Sequence, residues 1–319
     1  MSALQLGSLF VAALGATLLL GAPLIRALRA NKIAQTAYED APKRHAEKSG
    51  TPTMGGLLFL PALVLALVVA RDAQAAALVG LGAGCGAVGL ADDMMGVRLG
   101  RNRGLRARTK FLLTALVAAV FLAAVAADEG FGFRNAVLAV GPAHLAVPPW
   151  AWYALGLLAV TATTHAVNLT DGLDGLAAGT ALPPLAILAW LAARAGATGV
   201  LAVDVALAAA CIGFLWFNRH PARVFMGDTG ALALGGVIAG SAILLGNHLL
   251  LLLIGGVFVA EALSVILQVA WFKTTRKRIF RMSPLHHHYE LAGWSERKIT
   301  TRFWAASLAF ALVAFAVGR

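Results

Sequence analysis

The chain has 319 residues, of which 60% are hydrophobic and 13% charged, with a formal net charge of +11. A soluble domain of this size carries roughly 25% charged residues. That excludes an ordinary water-soluble globule. The apolar residues come in blocks about as long as a bilayer is thick, roughly 17–25 residues.

Ten spans are predicted, over about 4–27, 55–70, 75–91, 110–127, 149–166, 176–193, 198–217, 230–246, 248–272 and 301–318. The expected fold is an all-α polytopic membrane protein, one domain over 1–319, with both termini outside. The first block follows MSALQLGS, which has no Lys or Arg, and its cations Arg26 and Arg29 come after it. A secretory signal opens with positive charge, so this block reads as a retained span. Twenty-two of the 26 lysines and arginines fall on the side reached after spans 1, 3, 5, 7 and 9. The positive-inside rule makes that side cytoplasmic.

The polar motifs gather on the same side. Ahead of span 2 comes APKRHAEKSGTPTMGG, and span 3 ends on Asp92 and Asp93. Span 3 also holds Gly84-Cys-Gly86-Ala-Val-Gly89, a GxGxxG inside an apolar run. Without a preceding strand it reads as small residues for close helix packing, not a dinucleotide site. RLGRNRGLRARTK follows, with six cations in thirteen residues. Such a cluster anchors the cytoplasmic face against lipid headgroups and gathers polyanions. Nothing in the chain matches a nucleic-acid-binding motif. Cys85 and Cys211 lie in apolar runs, so neither a disulfide framework nor a CxxC site is expected.

Spans 5 and 6 are joined by NLTDGLDGLAAG, and span 8 is preceded by NRHPARVFMGDTG with Asp228. Ionisable groups at membrane depth mark function. Asp171 and Asp174, three apart, would share a face if helical. Five carboxylates, no cysteine ligands and many cations suit Mg²⁺ or Mn²⁺ with an anionic substrate. Glu261 lies mid-span with Gln268 two turns on; a buried structural hydrogen bond and a functional role are both open for Glu261. His286, His287 and His288 are adjacent, and adjacent side chains point different ways, which disfavours one zinc ion. Their favoured role, with Arg278 and Arg281, is holding phosphate or sugar, an idle polar loop being the alternative.

Together, GTPTMGG, NLTDGLDGLA, PARVFMGD and HHHYELAGW resemble the polyprenyl-phosphate N-acetylhexosamine-1-phosphate transferases, over about residues 40–300. EALSVILQV and the triple histidine favour the muramoyl-pentapeptide branch of that family over the branch that moves GlcNAc-1-phosphate. The resemblance implies transfer of phospho-MurNAc-pentapeptide from UDP-MurNAc-pentapeptide to undecaprenyl phosphate, giving lipid I and UMP for peptidoglycan synthesis. It implies Mg²⁺, a bacterial inner-membrane location among membrane lipids, a homodimer and an active site facing the cytoplasm. Asp228 corresponds to the family's metal-binding aspartate. Asp92, Asp93, Lys110 and His287 join it as catalytic candidates. Asn168, Asp171, Asp174, Asn218, Phe225, Gln268, His286, His288 and Lys48 are candidates for substrate binding. Two positions depart from the pattern: Gly96 stands where lysine is frequent, and Ala231 where serine is usual. A GlcNAc-1-phosphate transferase and, more distantly, a cation-coupled transporter are the competing readings. Carboxylates on one face rather than across the midplane argue against the transporter.

Overall fold

The computed structural model describes residues 1–34, 50–99, 104–127, 137–140 and 143–318. Lys48 lies outside them, as do Arg101 and Arg103 of the basic cluster. The described chain is a helix bundle: α1 (Ala3–Ala30), α2 (Phe59–Ala70), α3 (Ala73–Leu99), α4 (Ala107–Ala127), α5 (Pro149–Thr170), α6 (Leu176–Ala195), α7 (Thr198–Asn218), α8 (Gly227–Leu244), α9 (Leu251–Ile254), α10 (Gly256–Thr275), α11 (Leu285–Leu291) and α12 (Glu296–Val317). Eight of these are long and apolar enough to cross a membrane: α1, α3, α4, α6, α7, α8, α10 and α12. Among the described residues the protein is thus an all-helical polytopic membrane protein apart from one hairpin. That hairpin pairs β1 (Val137–Val140) with β2 (Ala143–Ala146), antiparallel, between α4 and α5.

Three elements differ from expectation. The ninth span is not one helix. It breaks at Gly255 into the single turn α9 and the longer α10. Glycine at the break gives up helix stability and leaves both pieces free to pack separately. Helix α3 runs to Leu99, so Asp92 and Asp93 sit on the helix and not past its end. Helix α5 runs to Thr170, which puts His165 and Asn168 on its last turns.

Helix α8 is the axis of the bundle, buried along nearly its whole length. Glycines let its neighbours approach. A Cβ on Gly82, Gly86 or Gly89 of α3 would run into Val237, Ala233 and the Asp228 backbone of α8. Gly86 and Gly89 are two of the three GxGxxG glycines; the third, Gly84, meets Val117 of α4. Their use here is close packing, worth more in lipid than elsewhere because no hydrophobic force drives apolar helices together there. This stripe is what sets α3 and α8 side by side, and so sets Asp92 and Asp93 beside Asp228.

A short strap completes the scaffold. The 3-10 turn Gly55–Leu58 ends the GTPTMGG motif. Gly55 N–H donates to Phe225 O at 2.8 Å, Gly56 N–H to Met226 O at 2.9 Å, and Phe225 N–H to Pro52 O at 2.8 Å. Two motifs far apart in sequence thereby fix the entry to α8.

Candidate active site

The first turn of α8 carries Asp228, and Asp93 of α3 caps that helix. Asp93 Oδ1 accepts from Asp228 N–H at 3.1 Å, and Oδ2 accepts from Thr229 N–H at 3.0 Å and Thr229 Oγ1 at 2.6 Å. A carboxylate satisfying the orphan amides of a helix start is favourable both as hydrogen bonding and as charge against the helix dipole. Gly227 makes the approach possible. Its φ is +71°, and a Cβ there would press on Asp93 Oδ2 and Thr53 Oγ1.

Around Asp228 stand one cation and one amide. Lys110, near the start of α4, pairs with Asp228 Oδ2 and lies 3.3 Å from Asp92 Oδ1. Asn168 Nδ2 donates to Asp228 Oδ1 at 2.7 Å. The Lys110, Asp92 and Asp228 side chains are 17%, 13% and 19% exposed, so their charges act with little solvent screening. Asp92 Oδ1 also accepts from Leu105 N–H at 2.9 Å, tying the segment before α4 to α3.

One carboxylate oxygen from each of Asp92, Asp93 and Asp228 lies within 4.8 Å of the others. Three hard oxygen donors of this kind fit Mg²⁺, which uses one or two carboxylates and fills its shell with water and phosphate oxygen. Both Asp93 oxygens accept from backbone N–H groups at the start of α8, which are fixed by the helix. The side-chain partners of Asp228, Lys110 and Asn168, can turn aside for a cation, so Asp228 with Asp92 is the better placed pair, with Lys110 between them as the residue that shares their charge. Asp171, in the turn after α5, feels the same crowding. Burial first, then the charges of Asp228, Asp93 and Asp174, push its carboxyl up to about 8, against the lowering effect of the Gly227 amide. A cation bound among these carboxylates would relieve that repulsion.

Asp174 goes elsewhere. The 171–175 segment is a turn, not a helix, so the two aspartates do not share a face. Asp174 Oδ2 accepts from Ala222 N–H at 3.0 Å and meets His220 Nδ1 at 2.9 Å. Its own N–H donates to Glu296 Oε1 at 2.6 Å, and Glu296 Oε2 is 3.3 Å from His220 Nδ1. Asn218 sits in the same layer: Oδ1 accepts from Gly175 N–H at 3.0 Å, and Nδ2 donates to Val224 O at 2.9 Å. These contacts bind the turn before α6, the loop before α8 and the start of α12. Phe225 is half-buried beside them, held through its backbone by the strap.

The histidines ride on α11. Glu261 of α10 receives its first turn: Oε2 accepts from Leu285 N–H at 2.6 Å, and Oε1 accepts from His286 N–H at 3.2 Å and meets His286 Nδ1 at 3.1 Å. His286 is buried against Gly172 of the acidic turn. His287 Nδ1 meets Glu290 Oε2 at 2.7 Å, and His288 Nδ1 accepts from Arg281 N–H at 3.1 Å. Gln268 pins the preceding loop, its Oε1 accepting from Ile279 and Phe280 N–H at 3.0 Å each and its Nε2 donating to Phe280 O at 3.2 Å. The structure thus brings Asp92, Asp93, Lys110, Asn168 and Asp228 into one group. It places Asp174 and Asn218 in a second, and Gln268 with His286–His288 in a third that touches the acidic turn at Gly172.

Sequence reasoning passed over His165, His220 and Glu296. His165 lies one turn before Asn168 on α5, with Nε2 3.2 Å from Thr114 Oγ1 and its ring stacked on Phe111 at 5.8 Å. It helps line a cavity of about 530 Å³ with Ala107, Arg108, Phe111 and Leu112, beside the Lys110 end of α4. The i, i+3 spacing of His165 and Asn168 was the available signal. His220 and Glu296 had none, because only the fold brings them to Asp174.

The glycosyl transferase family 4 model matches residues 75–246, and signature 1 of the phospho-N-acetylmuramoyl-pentapeptide-transferases matches residues 48–60. A phospho-N-acetylmuramoyl-pentapeptide-transferase of Geobacillus kaustophilus is 48% identical over 304 residues, 93% of each chain. Those of Desulforamulus reducens and Bacillus subtilis are 46% and 44% identical, each covering 93% of this chain and 91% and 93% of their own. With near-full-length identity at this level and the family's own signature across the strap, the chain belongs to the phospho-N-acetylmuramoyl-pentapeptide-transferase family, within glycosyl transferase family 4.

Proposed function

We propose that the protein transfers phospho-MurNAc-pentapeptide from UDP-MurNAc-pentapeptide to undecaprenyl phosphate, releasing UMP and leaving lipid I, with Asp228 at the centre of the reaction. The carrying observation is the group Asp92, Asp228, Lys110 and Asn168, partly buried and linked by direct contacts at the start of α8. The charge count supports ten crossings with this face in the cytoplasm of a bacterial inner-membrane protein. There a lipid phosphate and a water-soluble nucleotide meet. The apolar cavity beside Lys110 suits the first isoprene units of the lipid.

The lipid phosphate oxygen attacks the sugar-bearing phosphorus of the diphosphate. A new P–O–P bond forms, and the bond to UMP breaks. The second pKa of a phosphate monoester is near ~6, so the nucleophile is already largely ionised at neutral pH. Asp92 therefore contributes more by placing Lys110 than by removing a proton. Asp228 and Asp92 would hold Mg²⁺, which when bound would supply charge neutralisation for the diphosphate and the departing UMP. Lys110 adds a cation at the same oxygens, Asn168 fixes the Asp228 carboxylate, and Asp93 fixes the helix that carries it. His286–His288 and the acidic turn face the sugar and nucleoside side.

Purified protein is given undecaprenyl phosphate, Mg²⁺ and either UDP-MurNAc-pentapeptide or UDP-GlcNAc, and UMP is measured. The proposal expects UMP with the muramoyl nucleotide and none when the lipid phosphate is omitted. UMP from UDP-GlcNAc alone would move the protein to the sister activity.

A further inference from the structure

His286 is fixed on one side and unsatisfied on the other. Its side chain is 1% exposed. Nδ1 faces the Glu261 carboxylate, which is itself fully buried and whose oxygens accept from the Leu285 and His286 N–H groups. Nδ1 is therefore the nitrogen placed to donate to it. Nε2 has no hydrogen-bond partner and rests on Gly172, where a Cβ would collide with it. An unmet buried polar atom costs about 1–3 kcal/mol, so its retention asks for a reason. Gly172 joins Asp171, which faces the Asp228 group, to Asp174, which faces His220 and Glu296.

We infer that Glu261 is a positioning residue for the transfer reaction, acting through His286. It holds the imidazole as the Nδ1–H tautomer, so that Nε2, packed against Gly172, carries no hydrogen to press on the turn that bears Asp171. Glu261 does this with the same carboxylate that starts α11, so the orientation of the histidine helix and the tautomer of its first histidine are set together. Gly172 completes the arrangement, because a Cβ there would collide with the Nε2 edge of the ring. The inference rests on the proposed function, in which the turn bearing Asp171 belongs to the transfer site.

Glu261→Gln reports on tautomer control while keeping one of the two backbone contacts that start α11. Its one oxygen can keep the 2.6 Å contact to Leu285 N–H, and the 3.2 Å contact from His286 N–H is lost. Its amide NH₂ then faces Nδ1 and donates to it, which moves the hydrogen to Nε2. The experiment is nitrogen NMR on ¹⁵N-histidine, ¹³C-glycine protein, with His286 assigned by its contact to Gly172, alongside steady-state UMP release. Wild type is expected to show His286 with Nδ1 protonated and Nε2 bare. Glu261→Gln is expected to show the reverse, with kcat down about tenfold or more and KM for the nucleotide sugar within about twofold. Glu261→Asp, which keeps a two-oxygen acceptor, is expected to retain the wild-type tautomer and recover part of kcat. A wild-type spectrum with Nε2 protonated and Nδ1 bare overturns the inference, and it needs no variant to fold. So does a tautomer reversal that leaves kcat unchanged. Failure of wild type to release UMP would instead sink the proposed function, independently of the spectrum.

Discussion

Asp171 and Asp174 are three residues apart, and the turn between them sends them to different neighbours. Asp171 lies toward the Asp228 group, where the charges of Asp228 and Asp93 act on it more than that of Asp174 does, and where Lys110 pairs with Asp228. Asp174 joins His220, Ala222 and Glu296, where it bonds across loops that precede α8 and α12. Both groups can be drawn as three-ligand metal clusters, Asp92–Asp93–Asp228 and Asp174–His220–Glu296. Their surroundings separate them. The first lies at a helix start, beside a lysine and an apolar cavity. The second consists of contacts that hold loops together. Carboxylates alone do not distinguish catalysis from architecture; the charge and the access around them do.

The comparison can be broken most sharply at Asp228. Asp228→Asn keeps the shape and the acceptor for Asn168, and is expected to lower kcat about 10³-fold with an unchanged melting temperature. Near-wild-type turnover would remove Asp228 from the reaction. Lys110→Met is expected to cost about 10²-fold in kcat/KM, read in the same UMP assay. Gly227→Ala forces a side chain into φ +71° and against Asp93. It is expected to lose about 1–3 kcal/mol of stability, seen as a lower melting temperature with activity falling alongside. In the second group, Asn218→Ala strips Gly175 N–H and Val224 O of their partner. About 1–3 kcal/mol of stability is expected to go, with kcat reduced less than the Asp228 change reduces it. A larger kcat loss at Asn218 than at Asp228 would reverse the roles assigned to the two groups.

Much of this was legible from sequence. Apolar block length and the paucity of charge gave a membrane helix bundle, and the glycines of GxGxxG read correctly as helix-packing residues, Gly84 against α4 and Gly86 and Gly89 against α8. Asp92, Asp93 and Asp228 could be picked out because ionisable groups at membrane depth are rare, and Lys110 and Asn168 through the family resemblance of their segments. What stayed hidden needed three-dimensional proximity. That Asp93 spends both oxygens capping α8, and that Glu261 caps α11, follows from helix placement and leaves no spacing signature. The break at Gly255 was masked because apolar residues continue across it. The turn at 171–175 was ambiguous because glycine permits both a helix and its end.

The account's central claim is that the divalent cation belongs to the Asp228 group and not to the Asp174 group. Mn²⁺ titration followed by electron paramagnetic resonance, on wild type, Asp228→Asn and Asp174→Asn in the same detergent, tests it directly. Wild type and Asp174→Asn are expected to take up Mn²⁺ alike, and Asp228→Asn to lose that uptake. Uptake that survives Asp228→Asn and disappears in Asp174→Asn would contradict the account.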